Sequence, residues 1–221
     1  MNSTDDLQTL LDLALEPPEI LVNPGPEYSA EVLDYAMVIG LDATPGGRLW
    51  AAWVAGGDSD RGFFVAASSD DDGETWSAPR LVINPPDAPN GLRRRILVGN
   101  FWTDPLGRLW LFFDQSMGYF DGRAGVWAIR CDNPEAAEPR WSPPRRLAHG
   151  ATLCKPTVLS NGDWLLPVSL WTRDRIGPAE LRGAFAELDD QRMAHLFVST
   201  DHGDPHEQPD CAQSGPEFLP E

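Results

Sequence analysis

Residues 69–76 read Ser69-Asp70-Asp71-Asp72-Gly73-Glu74-Thr75-Trp76, and the order of these residues decides the fold. The stretch lies between Gly62-Phe63-Phe64-Val65-Ala66-Ala67-Ser68 and Ser77-Ala78-Pro79-Arg80-Leu81-Val82-Ile83, two runs of strand character, so it reads as the turn that joins them. Within such a turn the Ser69 hydroxyl and Asp71 carboxylate are expected to accept backbone amides. Gly73 is expected to supply a positive φ, and Trp76 to pack between neighbouring sheets. This is a folding device and does not itself perform chemistry.

Outward from this turn, the chain repeats with a period of about sixty residues. The first unit runs from Tyr35 through a Pro45-Gly46-Gly47-Arg48 turn, Leu49–Val54, Gly62–Ser68, the turn at 69–76, and a last strand over Trp76–Ile83. The second runs from Ile96 through Pro105-Leu106-Gly107-Arg108, Leu109–Phe113, Gly125–Arg130 and Trp141–Leu147. Gly47-Arg48-Leu49-Trp50 returns as Gly107-Arg108-Leu109-Trp110, and Trp76-Ser77-Ala78-Pro79-Arg80 as Trp141-Ser142-Pro143-Pro144-Arg145. The third unit has Cys154–Leu159, an Asn161-Gly162 hairpin signal in which both residues are expected at positive φ, Trp164–Trp171 and Met193–Ser199. Its fourth strand reads as missing or degenerate.

Radially repeated four-stranded antiparallel sheets are the blades of a propeller; a sandwich of two stacked sheets is the alternative. The expected organisation is an extension and linker over 1–34 with a short helix at Asp5–Leu15, a partial propeller over 35–210, and a frayed or truncated end over 211–221. About three blades are countable. Nine Trp, nine Phe, 20 Gly and 21 Pro support many short strands joined by tight turns.

A formal charge of −17 repels phosphate backbones and anionic membranes, so nucleic acid is not an expected partner. No run approaches ~18 apolar residues, and no membrane span is expected. Met1–Glu19 has no basic segment ahead of its leucines, which leads to a cytoplasmic expectation. Cys131, Cys154 and Cys211 lack Cys-x-x-Cys spacing, and the four histidines lack metal spacing, so neither metal nor cofactor is expected.

The turn at 69–76, the matched Gly-Arg-Leu-Trp segments and Lys155–Ser169 together resemble the sialidase superfamily, specifically its Asp-box or BNR-repeat branch. A second, degenerate box stands at Ser199-Thr200-Asp201-His202-Gly203, and the middle unit reads as having none. The resemblance spans Tyr35 to Gly203 and implies a six-bladed propeller, so three blades would need further blades or self-association to close. It also implies a carbohydrate partner and an exo-acting glycoside hydrolase that removes a terminal sugar by general acid catalysis. A non-catalytic glycan- or protein-binding propeller, or an inactive part of a longer enzyme, is the alternative.

In propellers of this kind the active site lies where the innermost strands begin and where the loops between second and third strands emerge. That rule selects Asp58 and Asp60 as candidate acids, provided burial raises the carboxyl's pKa. It selects Tyr35, Asn100 and Lys155 at inner-strand starts, with the Lys155 ammonium expected to enter the central depression. Tyr119, Trp171 and Arg173 come from the loops, the two aromatics as stacking platforms. Tyr35-Ala36-Met37 stands where the family carries Arg-Ile-Pro, which leaves the choice between sialic acid and another anionic or deoxy sugar open. Arg93-Arg94-Arg95 is the one basic cluster, read either as a carboxylate or sulfate site or as a solvated linker.

Overall fold

A computed structural model describes residues 4–33, 37–177, 181–203 and 210–214. Three antiparallel sheets follow one another along the chain. The first contains β1 (Leu21–Val22), β2 (Met37–Ala43), β3 (Leu49–Ala55), β4 (Phe63–Ser69) and β5 (Leu81–Ile83), in the order β1-β5-β4-β3-β2. The second contains β6 (Arg94–Thr103), β7 (Leu109–Met117), β8 (Gly125–Cys131) and β9 (Arg145–Ala148) in simple succession. The third contains β10 (Thr157–Val158), β11 (Trp164–Ser169), β12 (Ala194–Ser199) and β13 (Asp210–Ser214).

Strand alternation explains how the sheets stack. In β3, Trp50, Ala52 and Val54 are buried while Leu49, Ala51 and Trp53 are less so. The buried set joins Phe64, Ala66, Leu81 and Ile83 against Phe101, Leu111, Phe113 and Ile129 of the second sheet. Every residue of β7 is buried, because its other face, with Trp110 and Phe112, packs on Trp164, Leu166 and Val168 of the third sheet. At ~1.5–3 kcal/mol per fully buried large apolar side chain, these two seams dominate the favourable energy of the fold.

The Asp-box forms the bonds expected of it. Ser69 Oγ accepts the Gly73 amide at 2.9 Å, and Asp71 Oδ1 accepts the Thr75 amide at 2.9 Å and the Ser69 hydroxyl at 2.7 Å. Gly73 has φ +88. These bonds to the charged form, led by the Thr75 hydroxyl, hold the Asp71 carboxyl down at about 2. The degenerate third box keeps the turn, since the Gly203 amide donates to Ser199 Oγ at 2.8 Å and Gly203 has φ +75.

Four expectations are corrected. The middle unit does contain a box, written in other letters: Cys131 Sγ contacts Asn133 Oδ1 at 3.4 Å, and the Arg140 amide donates to Asn133 Oδ1 at 2.9 Å. These replace the Ser69–Asp71 and Thr75–Asp71 bonds, and Trp141 follows as Trp76 does. The third unit has its fourth strand: β13 pairs with β12 from His195–Ser214 to Val198–Asp210 across a bulge. At the Asn161-Gly162 turn only Gly162 is at positive φ (+94), because five residues, not two, connect Val158 to Trp164. Trp76 does not pack between sheets among the described residues; it is 43% exposed and lines a groove between Leu41, Ala51 and Trp53 of the first sheet and residues 29–33 of the N-terminal segment.

The N-terminal segment is part of the packed structure. Helix α1 (Thr4–Asp12) and the 3-10 turn Leu13–Leu15 place Leu11 and Ala14 against Met117, Phe120, Leu170 and Phe185. Carbonyls at the end of this helical stretch need partners. Arg123 donates to Leu11 O at 2.9 Å, Gln115 to Ala14 O at 2.8 Å, and Arg94 to Glu16 O at 2.5 Å. Strand β1 then pairs with β5, which makes the first sheet five-stranded.

Candidate functional site

Three segments emerge from the same end of the sheets: the β3–β4 loop at 56–62, the β7–β8 loop at 118–124, and the long β11–β12 connection. Between the last two lies a depression of about 470 Å³ lined by Tyr119, Leu170, Trp171, Thr172, Arg175, Arg192 and Met193. Its size fits one sugar-sized ligand. The expected stacking residues Tyr119 and Trp171 therefore share one depression. Trp171 is held by Phe120, with ring centroids 5.3 Å apart.

Tyr119 connects this depression to the first loop. Its hydroxyl donates to Asp58 Oδ1 at 3.3 Å. Partial burial, and then the adjacent Asp58 carboxylate, raise the Tyr119 pKa, so the phenol remains a proton donor at neutral pH. Beneath it Arg95 donates to the Tyr119 carbonyl at 2.6 Å and lies 5.7 Å from the ring centroid. Arg95 in turn forms a fully buried ion pair with Asp114 at 2.5 Å, and Asp114 Oδ1 accepts the amides of Leu97 and Val98 at the bulge in β6. The tyrosine thus stands on a buried, charged support.

The remaining expected residues are placed elsewhere or bound to other groups. Asp58 and Asp60 are both exposed on the β3–β4 loop. The Arg173 side chain is bound to Asp189 at 2.7 Å and to the carbonyls of Arg182 and Ala184, bracing the β11–β12 connection. Lys155 does not enter a loop-end depression: its ammonium donates to Leu41 O at 2.7 Å and pairs with Asp42 at 3.2 Å, near the 44–48 turn. Asp42 draws the ammonium there because it offers a counter-charge. Asn100 donates to Leu153 O at 3.3 Å, beside the close approach of Gly40 to the Asn100–Phe101 backbone. Lys155 and Asn100 are therefore ties among the inner strands. Tyr35 lies outside the described residues.

The basic cluster is also structural: Arg93 pairs with Asp87 at 2.6 Å, Arg94 with the N-terminal segment, and Arg95 with Asp114. Arg192, in the lining, is held by Asp189 and by the carbonyls of Gly122 and Trp171. Arg175 differs: its side chain is 72% exposed and, among the described residues, its one ion-pair contact is with Asp174 at 3.5 Å. It is the cation of the depression best able to turn toward a ligand, and nothing in the sequence separates it from Arg173 two residues earlier. Among the described residues no group of His, Cys, Asp and Glu side chains is arranged to hold a metal ion, and no helix is long and apolar enough to cross a membrane.

Comparison with known proteins gives one family. The model of the BNR repeat-like domain matches residues 47–214, most of the chain. The chain belongs to the BNR repeat-like family. Among solved structures it is similar to the Hadza microbial sialidase Hz136, with TM-score 0.55 and 16% identity over 84% of this chain and 38% of that one. It is also similar to a protein of unknown function from Dyadobacter fermentans, with TM-score 0.54 and 12% identity over 89% of this chain and 57% of that one. At such identities the likeness is one of fold. The chain spans well under two thirds of either structure's length. A search of curated proteins gives no significant match.

Proposed function

We propose that this BNR repeat-like chain is half of a sialidase-type six-bladed propeller that handles carbohydrate, acting as an exo-glycoside hydrolase on a terminal acidic sugar. One observation carries the reading: a sugar-sized depression at the loop end has two aromatic rings, Tyr119 and Trp171, an exposed Arg175 at its edge and Asp58 hydrogen-bonded to the Tyr119 hydroxyl. Aromatic faces take the apolar side of a sugar ring, and a guanidinium takes a carboxylate as a bidentate partner. Arg175 also offsets, locally, a net charge of −17 that would otherwise repel an acidic sugar.

In this reading Asp58 is the acid. A sugar seated beside Tyr119 would bring its glycosidic oxygen against the Asp58 carboxyl, which gives that oxygen a proton as the bond to the anomeric carbon breaks. Water bonds to the anomeric carbon in its place, and the proton it sheds returns through solvent to Asp58. Binding without hydrolysis is the second reading, favoured by the exposure of both Asp58 and Asp60 in the free protein.

The test combines titration of the protein with N-acetylneuraminic acid and fluorogenic glycoside turnover. Trp171→Ala and Arg175→Ala are expected to weaken binding at least tenfold, and Asp58→Asn to abolish turnover with binding retained. Turnover unchanged in Asp58→Asn refutes the acid assignment. Unchanged binding in both of the other variants refutes the site.

A further inference from the structure

The two loops that carry the stacking rings are joined by one side chain. The β11–β12 connection leaves its sheet at Leu170 and returns at Met193, where the Leu170 amide donates to Met193 O at 3.0 Å. Between these ends the described residues form no strand, only turns and 3-10 helices such as Arg173–Arg175 and Ala186–Gln191. A connection this long, with no ladder of its own, needs side chains to fix its path and to satisfy its carbonyls.

Arg192 supplies most of that bonding. Its side chain is 5% exposed, and Nε donates to Asp189 Oδ1 at 2.7 Å. Nη1 donates to Gly122 O at 2.8 Å and to Trp171 O at 3.0 Å, and Nη2 donates to Phe185 O at 3.2 Å. Four of the five N–H groups of a guanidinium are thus taken, which leaves little to offer a ligand although Arg192 lines the depression. Trp171 O belongs to one stacking residue, and Gly122 O to the loop that carries the other, Tyr119. Asp189 extends the tie to Arg173, which holds the carbonyls of Arg182 and Ala184.

Phe185 shows that these bonds impose a shape on the connection. It is buried at φ +54, ψ +43, a region that crowds any backbone bearing a Cβ. Arg192 holds its carbonyl, and the Arg123 guanidinium lies 4.3 Å from its ring centroid. Outliers of this kind persist where the surroundings over-determine them, and they collect at ligand sites.

We infer that Arg192 is the positioning residue of the depression: it bonds the main chain of both loops and so fixes Trp171 relative to Tyr119, while the ligand's charge is left to Arg175. This rests on the reading of the depression as a sugar site. Rings fixed in advance need no ordering when the sugar binds, so loss of the tie is read as loss of affinity.

The experiment compares wild type and Arg192→Lys by titration with N-acetylneuraminic acid and by hydrogen exchange of the peptides covering 118–124 and 171–177. Lysine keeps the charge, but its ammonium lacks the planar fork that reaches carbonyls on both loops. Arg192→Lys is expected to bind at least tenfold more weakly and to exchange faster in both peptides, with far-UV circular dichroism unchanged. If it does not fold, Asp189→Asn, at a more exposed carboxylate, replaces it and is expected to move both readouts in the same direction. Trp171→Ala keeps the carbonyl that Arg192 holds, so combining it with Arg192→Lys is expected to cost less than the product of the two single losses. Unchanged affinity overturns the inference, as does a double variant that loses the full product, or exchange that quickens in one peptide or neither. Wild type that binds no N-acetylneuraminic acid refutes the sugar reading instead, and the exchange of the two peptides then decides the tie by itself.

Discussion

His149 offers a direct test of the buried electrostatics. Its Nδ1 lies 2.8 Å from the Arg146 guanidinium, which can only donate, so Nδ1 is an acceptor and the ring is neutral. Burial first, and then the charges of Arg146 and Arg123, lower its pKa from 6.5 to about 4. An unfolded chain takes up this proton below pH 6.5 and the folded chain only near pH 4, so stability falls as pH drops through that window. At ~1.4 kcal/mol per pH unit the full effect is capped at ~3 kcal/mol, and residual solvent contact reduces it to roughly half. The assay is urea unfolding at pH 7.5 and pH 5 for wild type and His149→Gln, which keeps a carbonyl acceptor for Arg146. Wild type is expected to lose about 1 kcal/mol more than the variant between those pH values. Equal losses would refute a neutral, proton-refusing His149.

Two further outcomes follow from the described contacts. Arg95→Ala leaves the Asp114 carboxylate buried without its partner and is expected to cost ~3–5 kcal/mol in chemical denaturation, and Arg95→Met with Asp114→Leu is expected not to recover that loss, because it leaves the Leu97 and Val98 amides without their acceptor. Because bonds to the charged form depress the Asp71 carboxyl, their stabilisation is present above about pH 4 and is lost as pH falls through about 2. Thermal melts of Asp71→Ala should therefore show a lowered Tm at neutral pH and a gap to wild type that narrows under strong acid.

Much of the fold is legible in the sequence because its turn chemistry is local. Ser69, Asp71 and Gly73 make their bonds within five residues, so the letters suffice. The middle box escapes the same reading because Cys131 and Asn133 keep the bonding pattern while changing both letters, and residues 134–139 lengthen the loop. Strand β13, Asp-Cys-Ala-Gln-Ser, has no apolar alternation and is made a strand by its neighbour β12. The candidate site is less legible because its charges are assigned by tertiary partners. Arg173 and Arg175 share one short turn, and only Asp189 and two distant carbonyls decide which of them is bound. Lys155 reads as a ligand for an acidic sugar until Asp42, more than a hundred residues away, proves to be its counter-ion.

The docking of the N-terminal helix sets an order of events during synthesis. Leu11 and Ala14 leave the ribosome early, yet their hydrogen-bonding partners Arg123 and Gln115 and their apolar neighbours Leu170 and Phe185 are made one hundred or more residues later. Contacts that distant in sequence close late. The helix must therefore wait, exposed to chaperones and proteases, until the third sheet has emerged, and it should be among the last of the described elements to become protected from hydrogen exchange.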